Sequence, residues 1–249
     1  MAEKKQRKLV SVILNILTVV LLVVGLVLVF NKPIQKYLLH QKTNSYQVTK
    51  LDKKQVKANE KAQATFDFDQ VEPISLEVIM KNQVSAKDLP VIGGIAIPSV
   101  KVNLPIFKGL ANEVLLYGAG TTSEQQKMGE GNYGLASHRM FDDSLLFTPL
   151  DHVKVGDKIY LTDLSKIYVY QAINNQRVSP DRVDLLDVVP GKRLVTLVTC
   201  GEMSGETRRV IQGELKEIVD FDHGTKAMKE AFEMNSNHLK KDVRQLGQT

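Results

Sequence analysis

The chain has 249 residues, 43% of them hydrophobic and 24% charged, an ordinary globular composition with enough material for one sizeable domain and extensions. The net charge of +5 is not gathered into one basic stripe, tryptophan is absent, and no aromatic and basic residues interleave as a base-stacking platform, which sets nucleic-acid binding aside. The composition also excludes a disordered or repeat protein, and a single cysteine excludes an intramolecular disulfide.

Residues 1–8 are basic, with Lys4, Lys5, Arg7 and Lys8, and residues 9–30 are apolar except for Ser11, Asn15 and Thr18. About 22 uncharged residues at about 1.5 Å each make a helix of about 33 Å, enough to cross a hydrocarbon core of about 30 Å. A cleaved signal peptide would carry a shorter apolar region ending in small residues. This run ends Val27-Leu28-Val29-Phe30-Asn31-Lys32-Pro33, so it reads as a retained transmembrane anchor. The basic flank keeps the N-terminus cytoplasmic and sends the rest of the chain outside, with Lys32 and Lys36 a weaker opposing pair.

Residues 31–72 are polar and lack glycine, and read as an extracellular stem, helical in part or flexible. Ile74, Leu76, Val78 and Ile79, within Glu72 to Gln83, have the spacing of a short amphipathic helix. A domain is expected over residues 73–235, followed by a polar tail at 236–249. From Leu89 the chain breaks into short β-type runs: Ile92 to Ile97, Val102 to Phe107, Lys158 to Thr162, Ile167 to Ile173, Leu194 to Thr199 and Arg209 to Leu215. The two runs flanking Asp163-Leu164-Ser165-Lys166 read as a hairpin, and the spacing predicts a mainly antiparallel sandwich or closed barrel. Short helices are expected over Glu113 to Tyr117, Ser144 to Leu150 and Arg182 to Leu186. Ala227, Met228, Ala231 and Phe232 recur at helical spacing near the end.

Cys200 closes the run Val195 to Cys200 and is followed at once by Gly201, at a strand end facing a loop. Position alone leaves it open between a buried, inert thiol and an exposed nucleophile. A lone thiol kept outside the cytoplasm is open to oxidation, which argues that its reactivity is wanted. Arg208 and Arg209 begin the next strand, and alternation lets only one of them point back towards the sulfur, where a cation would favour a thiolate or an oxyanion. Of five histidines, His40, His152, His223 and His238 lie in polar stretches. His138 instead ends the short apolar run Tyr133-Gly134-Leu135-Ala136-Ser137, as Cys200 ends its own, and can serve as the proton donor a thiolate enzyme needs.

Other signals fail on context. Gly129-Glu130-Gly131-Asn132-Tyr133-Gly134 fits a dinucleotide fingerprint, but no strand precedes it and no helix follows. There is no H-E-x-x-H, paired C-x-x-C or EF-hand loop, so no metal or other cofactor is implied. Ser137 lacks the G-x-S-x-G elbow of a serine nucleophile.

Thr196-Leu197-Val198-Thr199-Cys200 resembles the T-L-x-T-C signature of sortases, and Leu135-Ala136-Ser137-His138 resembles the segment carrying their histidine. The likeness extends through Ile95-Ala96-Ile97-Pro98, Tyr117-Gly118-Ala119-Gly120-Thr121 and Val178-Ser179-Pro180-Asp181-Arg182-Val183-Asp184, and is greatest to class A housekeeping sortases of streptococci. It implies an eight-stranded closed β-barrel and a transpeptidase acting on surface proteins that end in a Leu-Pro-x-Thr-Gly signal. Cys200 would form a thioester at the threonine, His138 would protonate the leaving glycine amine, and a lipid II cross-bridge amine would take the acyl group. Arg208 fits the arginine spacing best, with Arg209 the alternative. A loop at about Asn174 to Val188 would cradle the Leu-Pro portion, with Ala136, Ser137, Val178, Pro180, Val183, Leu185 and Thr199 as substrate contacts.

The resemblance also implies that thiolate and imidazolium occur together only in a small fraction of molecules, which makes a bell-shaped pH profile the expectation. The glycine-containing loop Gly201 to Glu206 loosens the arginine's placement, and the calcium-binding carboxylates of the staphylococcal branch are not evident. Two other readings stand beside this one. A class C pilin-polymerising sortase would carry a lid and usually a C-terminal span, against which the polar run Lys240 to Thr249 speaks. The other is a membrane-tethered wall-binding module with Cys200 in its core.

Overall fold

A computed structural model describes residues 2–30, 43, 45–72, 74 and 89–234. Most of the helix expected over Glu72 to Gln83, and the tail after residue 234, lie outside the described residues. The chain divides into two compact units, Met1–Leu38 and Leu39–Thr249. The first contains helix α1, Ala2–Val29, whose stretch Val10–Val29 is long and apolar enough to cross a membrane.

The second unit is a closed barrel of eight strands: β1 Val91–Ile97, β2 Val102–Phe107, β3 Ala119–Thr121, β4 Asn132–Ala136, β5 Lys158–Thr162, β6 Lys166–Val178, β7 Leu194–Cys200 and β8 Arg208–Asp220. The order around the barrel is β1-β2-β3-β4-β7-β8-β6-β5, with β5 closing onto β1. Six ladders are antiparallel, and β2/β3 and β4/β7 are parallel. Parallel neighbours require a crossover. The β2–β3 connection carries helix α3, Asn112–Tyr117, and the β4–β7 connection carries the whole β5–β6 hairpin.

Ile95, Leu104, Ile106, Leu135, Tyr170, Val195, Leu197 and Ile211 fill the interior. Because strand side chains alternate, Ala96 of β1 faces outward into a second cluster with Tyr160, Ile167 and Val169. That outer cluster is covered by helix α4, Lys226–Glu233, through Met228, Ala231 and Phe232, one face at helical spacing. Thr225 caps α4 by accepting from Met228 N, and Asn103 Nδ2 donates to the Phe232 carbonyl at 2.9 Å, fixing its far end to β2.

The compact unit takes in residues 45–72, part of the polar stretch read as a stem. Asp52 caps helix α2, Lys53–Asn59, and Val48 and Val56 are buried against the barrel. Tyr46 packs edge-on to Phe107 with centroids 5.5 Å apart. A Cβ on Gly94 would lie 2.6 Å from Val48 Cγ1, so glycine is what lets this strap approach β1. Farther along, Thr65 O accepts from Leu110 N at 2.7 Å, and Asn112 clamps the strap by accepting from Glu72 N and donating to Gln70 O.

Where the helix Ser144 to Leu150 was expected, the chain makes turns and a 3-10 helix at Thr148–His152, since Leu146 sits at a left-handed φ of 49° and Pro149 starts the turn. Only a 3-10 turn forms at Val183–Leu186. The strand expected to stop at Ile173 runs on to Val178 because β8 pairs with it as far as Arg208, so the β6–β7 loop begins at Ser179 rather than Asn174.

Candidate active site

The parallel ladder of β4 and β7 pairs Ala136 with Val198. His138 and Cys200 each lie two residues further on, so they occupy equivalent positions at the ends of adjacent strands about 5 Å apart. Across the other edge of β7, the antiparallel ladder places Arg208 directly opposite Cys200. Three side chains spread over 70 residues of sequence are thus brought to one rim of the barrel.

The backbone around His138 is fixed from several directions. Ser137 N donates to Val198 O at 3.2 Å, Phe147 N donates to His138 O at 3.2 Å, and Met140 N donates to Thr148 Oγ1 at 2.8 Å. Ser137 Oγ is committed to Gly118 O at 2.6 Å, a structural use of that hydroxyl. The imidazole is 8% exposed and its Nε2 is buried with no hydrogen-bond partner. Burial lowers its pKa from 6.5 to about 4, which keeps the ring neutral near pH 7. Thr199 Oγ1, on β7 beside Cys200, is likewise buried and unpartnered. Cys200 is partly exposed, not sealed in the core.

Alternation along β8 separates the two arginines. Arg208 lines the same groove as Cys200 and His138, and its Nη1 donates to the carbonyls of Gly205 and Thr207 at 2.7 and 3.1 Å. Arg209 points the other way, its Nε donating to Asp151 Oδ1 at 2.7 Å and its Nη1 to Asn175 Oδ1 at 3.1 Å. The β7–β8 loop is braced despite its glycines. Gly201 N donates to Thr207 O at 2.8 Å, the Glu202 carboxylate accepts from Thr207 N and Oγ1, and Arg177 Nη2 donates to Gly201 O at 3.0 Å. The hydrogen bonds from Thr207 hold the Glu202 carboxyl below the usual carboxylate range.

The groove has a volume of about 580 Å³ and contains every substrate-contact residue expected from the sequence: Ala136, Ser137, Val178, Pro180, Val183, Leu185 and Thr199. The β6–β7 loop that forms one wall is tied down by buried polar groups. Asn132 Nδ2 donates to Leu185 O and Asp187 O at 2.9 and 3.0 Å, and Gln212 Nε2 donates to Leu185 O at 3.1 Å. The facing wall was not foreseen. It comes from Leu110 and Leu115, from Phe68 and Val71 of the strap, whose apolar residues are too widely spaced to register as a periodic pattern, and from Ile74 just beyond it. Arg139 and Met203 also reach the groove. A second cavity of about 400 Å³, lined by Glu60, Lys108, Glu124, Lys127 and Tyr168 among others, is lined by none of the groove residues. Among the described residues no group of three or more His, Cys, Asp or Glu side chains could hold a metal ion.

A partly exposed thiol, a buried neutral imidazole and a guanidinium held by two backbone carbonyls can together support acyl transfer through a covalent cysteine intermediate. Comparison with known proteins agrees. The sortase domain family matches residues 95–216. Sortase A of Streptococcus agalactiae serotype III (strain NEM316) is 42% identical over 242 residues, 95% of this chain and 98% of that one. Sortase A of Listeria monocytogenes serovar 1/2a is 37% identical over 201 residues, 80% of this chain and 90% of that one. The solved structure of sortase A from Listeria monocytogenes superposes with a TM-score of 0.53 at 42% identity, covering 57% of this chain and 97% of that one.

Proposed function

From the premise that the chain belongs to the sortase family, as a cysteine transpeptidase of the sortase A type, we propose that it cleaves Leu-Pro-x-Thr-Gly signals between Thr and Gly and transfers the surface protein to the amine of a lipid II cross-bridge. The observation that carries this reading is the placement of His138 and Cys200 at matched ends of parallel strands, with Arg208 across the ladder from Cys200 and all three on one groove.

In the proposed cycle the apolar Leu-Pro portion lies against Val178, Pro180, Val183, Leu185 and Ala136, which orients the threonine carbonyl over Cys200. His138 accepts the thiol proton as Sγ attacks that carbonyl, and Arg208 steadies the negative charge developing on the carbonyl oxygen. Collapse of the tetrahedral species breaks the Thr–Gly bond, the proton passes from His138 to the departing glycine amine, and a thioester remains. The acceptor amine then gives its proton to the imidazole while attacking the thioester, and the thiol is restored. Burial that keeps His138 neutral makes the thiolate–imidazolium pair scarce in the free enzyme, so slow turnover is expected.

The proposed placement follows from the apolar helix and the basic flank: residues 1–8 cytoplasmic, 9–30 spanning the membrane, and the barrel outside, where wall precursors and exported proteins meet. The partners are then Leu-Pro-x-Thr-Gly proteins and a peptidoglycan precursor, with no cofactor and no nucleic acid. The test is cleavage of a fluorogenic Leu-Pro-x-Thr-Gly peptide by the full chain in detergent. Turnover that vanishes in a folded Cys200→Ala variant supports the reading, and turnover surviving that change overturns it.

A further inference from the structure

One carboxylate outside the three proposed reacting side chains touches the neighbours of two of them. Asp151 sits on the 3-10 turn Thr148–His152 in the β4–β5 connection. Its Oδ2 accepts from Nη2 of Arg139, the residue after His138, and its Oδ1 accepts from Nε of Arg209, the residue after Arg208, at 2.7 Å. Arg139 Nη1 also lies 3.5 Å from the carbonyl oxygen of Cys200. The same turn is held on its other side, where Asn175 Nδ2 donates to Leu150 O and Val153 O at 3.1 and 2.7 Å while its Oδ1 accepts from Arg209. A single side chain therefore ties the β4 end bearing His138 to the β8 end bearing Arg208, with the β7 end bearing Cys200 between them.

The three side chains are mostly shielded, at 15% exposure for Arg139, 17% for Arg209 and 22% for Asp151. Burial alone would raise the Asp151 pKa, but the hydrogen bonds from Arg139 and Arg209 outweigh it and hold the carboxyl below its ordinary range. Without the carboxylate, two guanidiniums would face each other in a poorly hydrated place with only the more distant Asp143 and Glu202 acting on Arg139, and the strand ends would separate or rotate. Displacements of about 1 Å between reacting groups cost on the order of 100-fold in rate.

We propose that Asp151 is a positioning residue for the transpeptidation, a charged staple that keeps His138, Cys200 and Arg208 in register by binding Arg139 and Arg209 together. Its influence falls on the reacting groups and not on the Val178–Leu185 wall, so it acts on kcat and leaves KM for the peptide alone. The inference rests on the proposed assignment of those three side chains.

The test is steady-state kinetics of the full chain in detergent with a Leu-Pro-x-Thr-Gly peptide, each variant assayed well below its own melting temperature. Asp151→Asn, which keeps the shape and loses the charge, is expected to lower kcat about tenfold or more with KM within about twofold, whereas Asp151→Glu stays within about threefold of the parent. Arg209→Lys, which keeps the charge but loses the planar fork, is expected to lower kcat about threefold to tenfold at unchanged KM, and it decides the matter if Asp151→Asn does not fold. Folded variants that keep kcat within about twofold of the parent, or that raise KM with kcat intact, overturn the proposal. Absence of turnover in the parent chain sinks the site assignment and this inference with it, while parental turnover indifferent to Asp151 sinks this inference alone.

Discussion

Replacing His138 with glutamine should flatten the acid limb of the protein's stability curve. The folded imidazole has its pKa lowered from 6.5 to about 4 by burial, so between those values the unfolded chain takes up a proton that the folded chain refuses. The imidazole's contribution to stability is therefore full above pH 6.5, falls as the pH drops towards 4 and levels off below it. At about 1.4 kcal/mol per pH unit the loss amounts to roughly 3 kcal/mol. Glutamine cannot titrate, so the difference in unfolding free energy between variant and parent should shift by that amount in the variant's favour between pH 7.5 and 4. Other histidines are common to both proteins and cancel in the difference. The assay is urea unfolding of the full chain in detergent, followed by tyrosine circular dichroism at half-unit pH steps, tyrosine being the usable chromophore in a chain without tryptophan. Parallel pH curves for parent and variant would show that the ring is charged or solvated, and would refute the picture of a neutral imidazole held in the groove wall.

Arg208→Ala should lower kcat on the order of 100-fold to 1000-fold, the usual cost of removing an oxyanion donor, while Arg209→Ala, acting through Asp151 and Asn175, should lose about tenfold; equal losses, or the reverse order, would move the oxyanion role to Arg209. Asn132→Ala takes a donor from the Leu185 and Asp187 carbonyls and the acceptor from the buried Thr196 hydroxyl. It should destabilise the fold by about 1–3 kcal/mol and raise KM with kcat held; an unchanged KM would detach the β6–β7 loop from peptide binding. Adding a chelator should leave turnover unchanged, and abolished turnover would require a metal site in the enzyme.

The sequence was most legible where apolar residues alternate within short runs. Val102–Phe107 and Lys158–Thr162 form strands with the expected limits, and the hairpin between β5 and β6 pairs as expected. β6 and β8 were read short because Asn174 to Arg177 are polar and Lys216, Glu217 and Asp220 leave only Ile218 and Val219 apolar at the end of β8; their strand conformation comes from pairing with each other, which no local pattern carries. β3 escaped notice as three residues, one of them glycine. The strap of residues 45–72 was opaque for a similar reason, since isolated residues such as Val48 and Val56 bury themselves singly against a surface the sequence does not display.

In the site, Cys200 and His138 were legible as strand-end residues followed by loops. Alternation showed that one arginine faces the sulfur, but only the register of β7 with β8 places Arg208 on the groove and Arg209 on the far face. Asp151 could not be seen at all. It lies on an irregular turn and meets Arg209 58 positions away, a contact set by barrel closure.

The most direct measurement is intact-mass and peptide-level mass spectrometry of the full chain after brief incubation with a Leu-Pro-x-Thr-Gly peptide in the absence of an amine acceptor. Cys200 is expected to carry a thioester-labile acyl group ending in threonine, removed by added triglycine. An unmodified Cys200 during active cleavage, or an acyl group on another side chain, would contradict this mechanism.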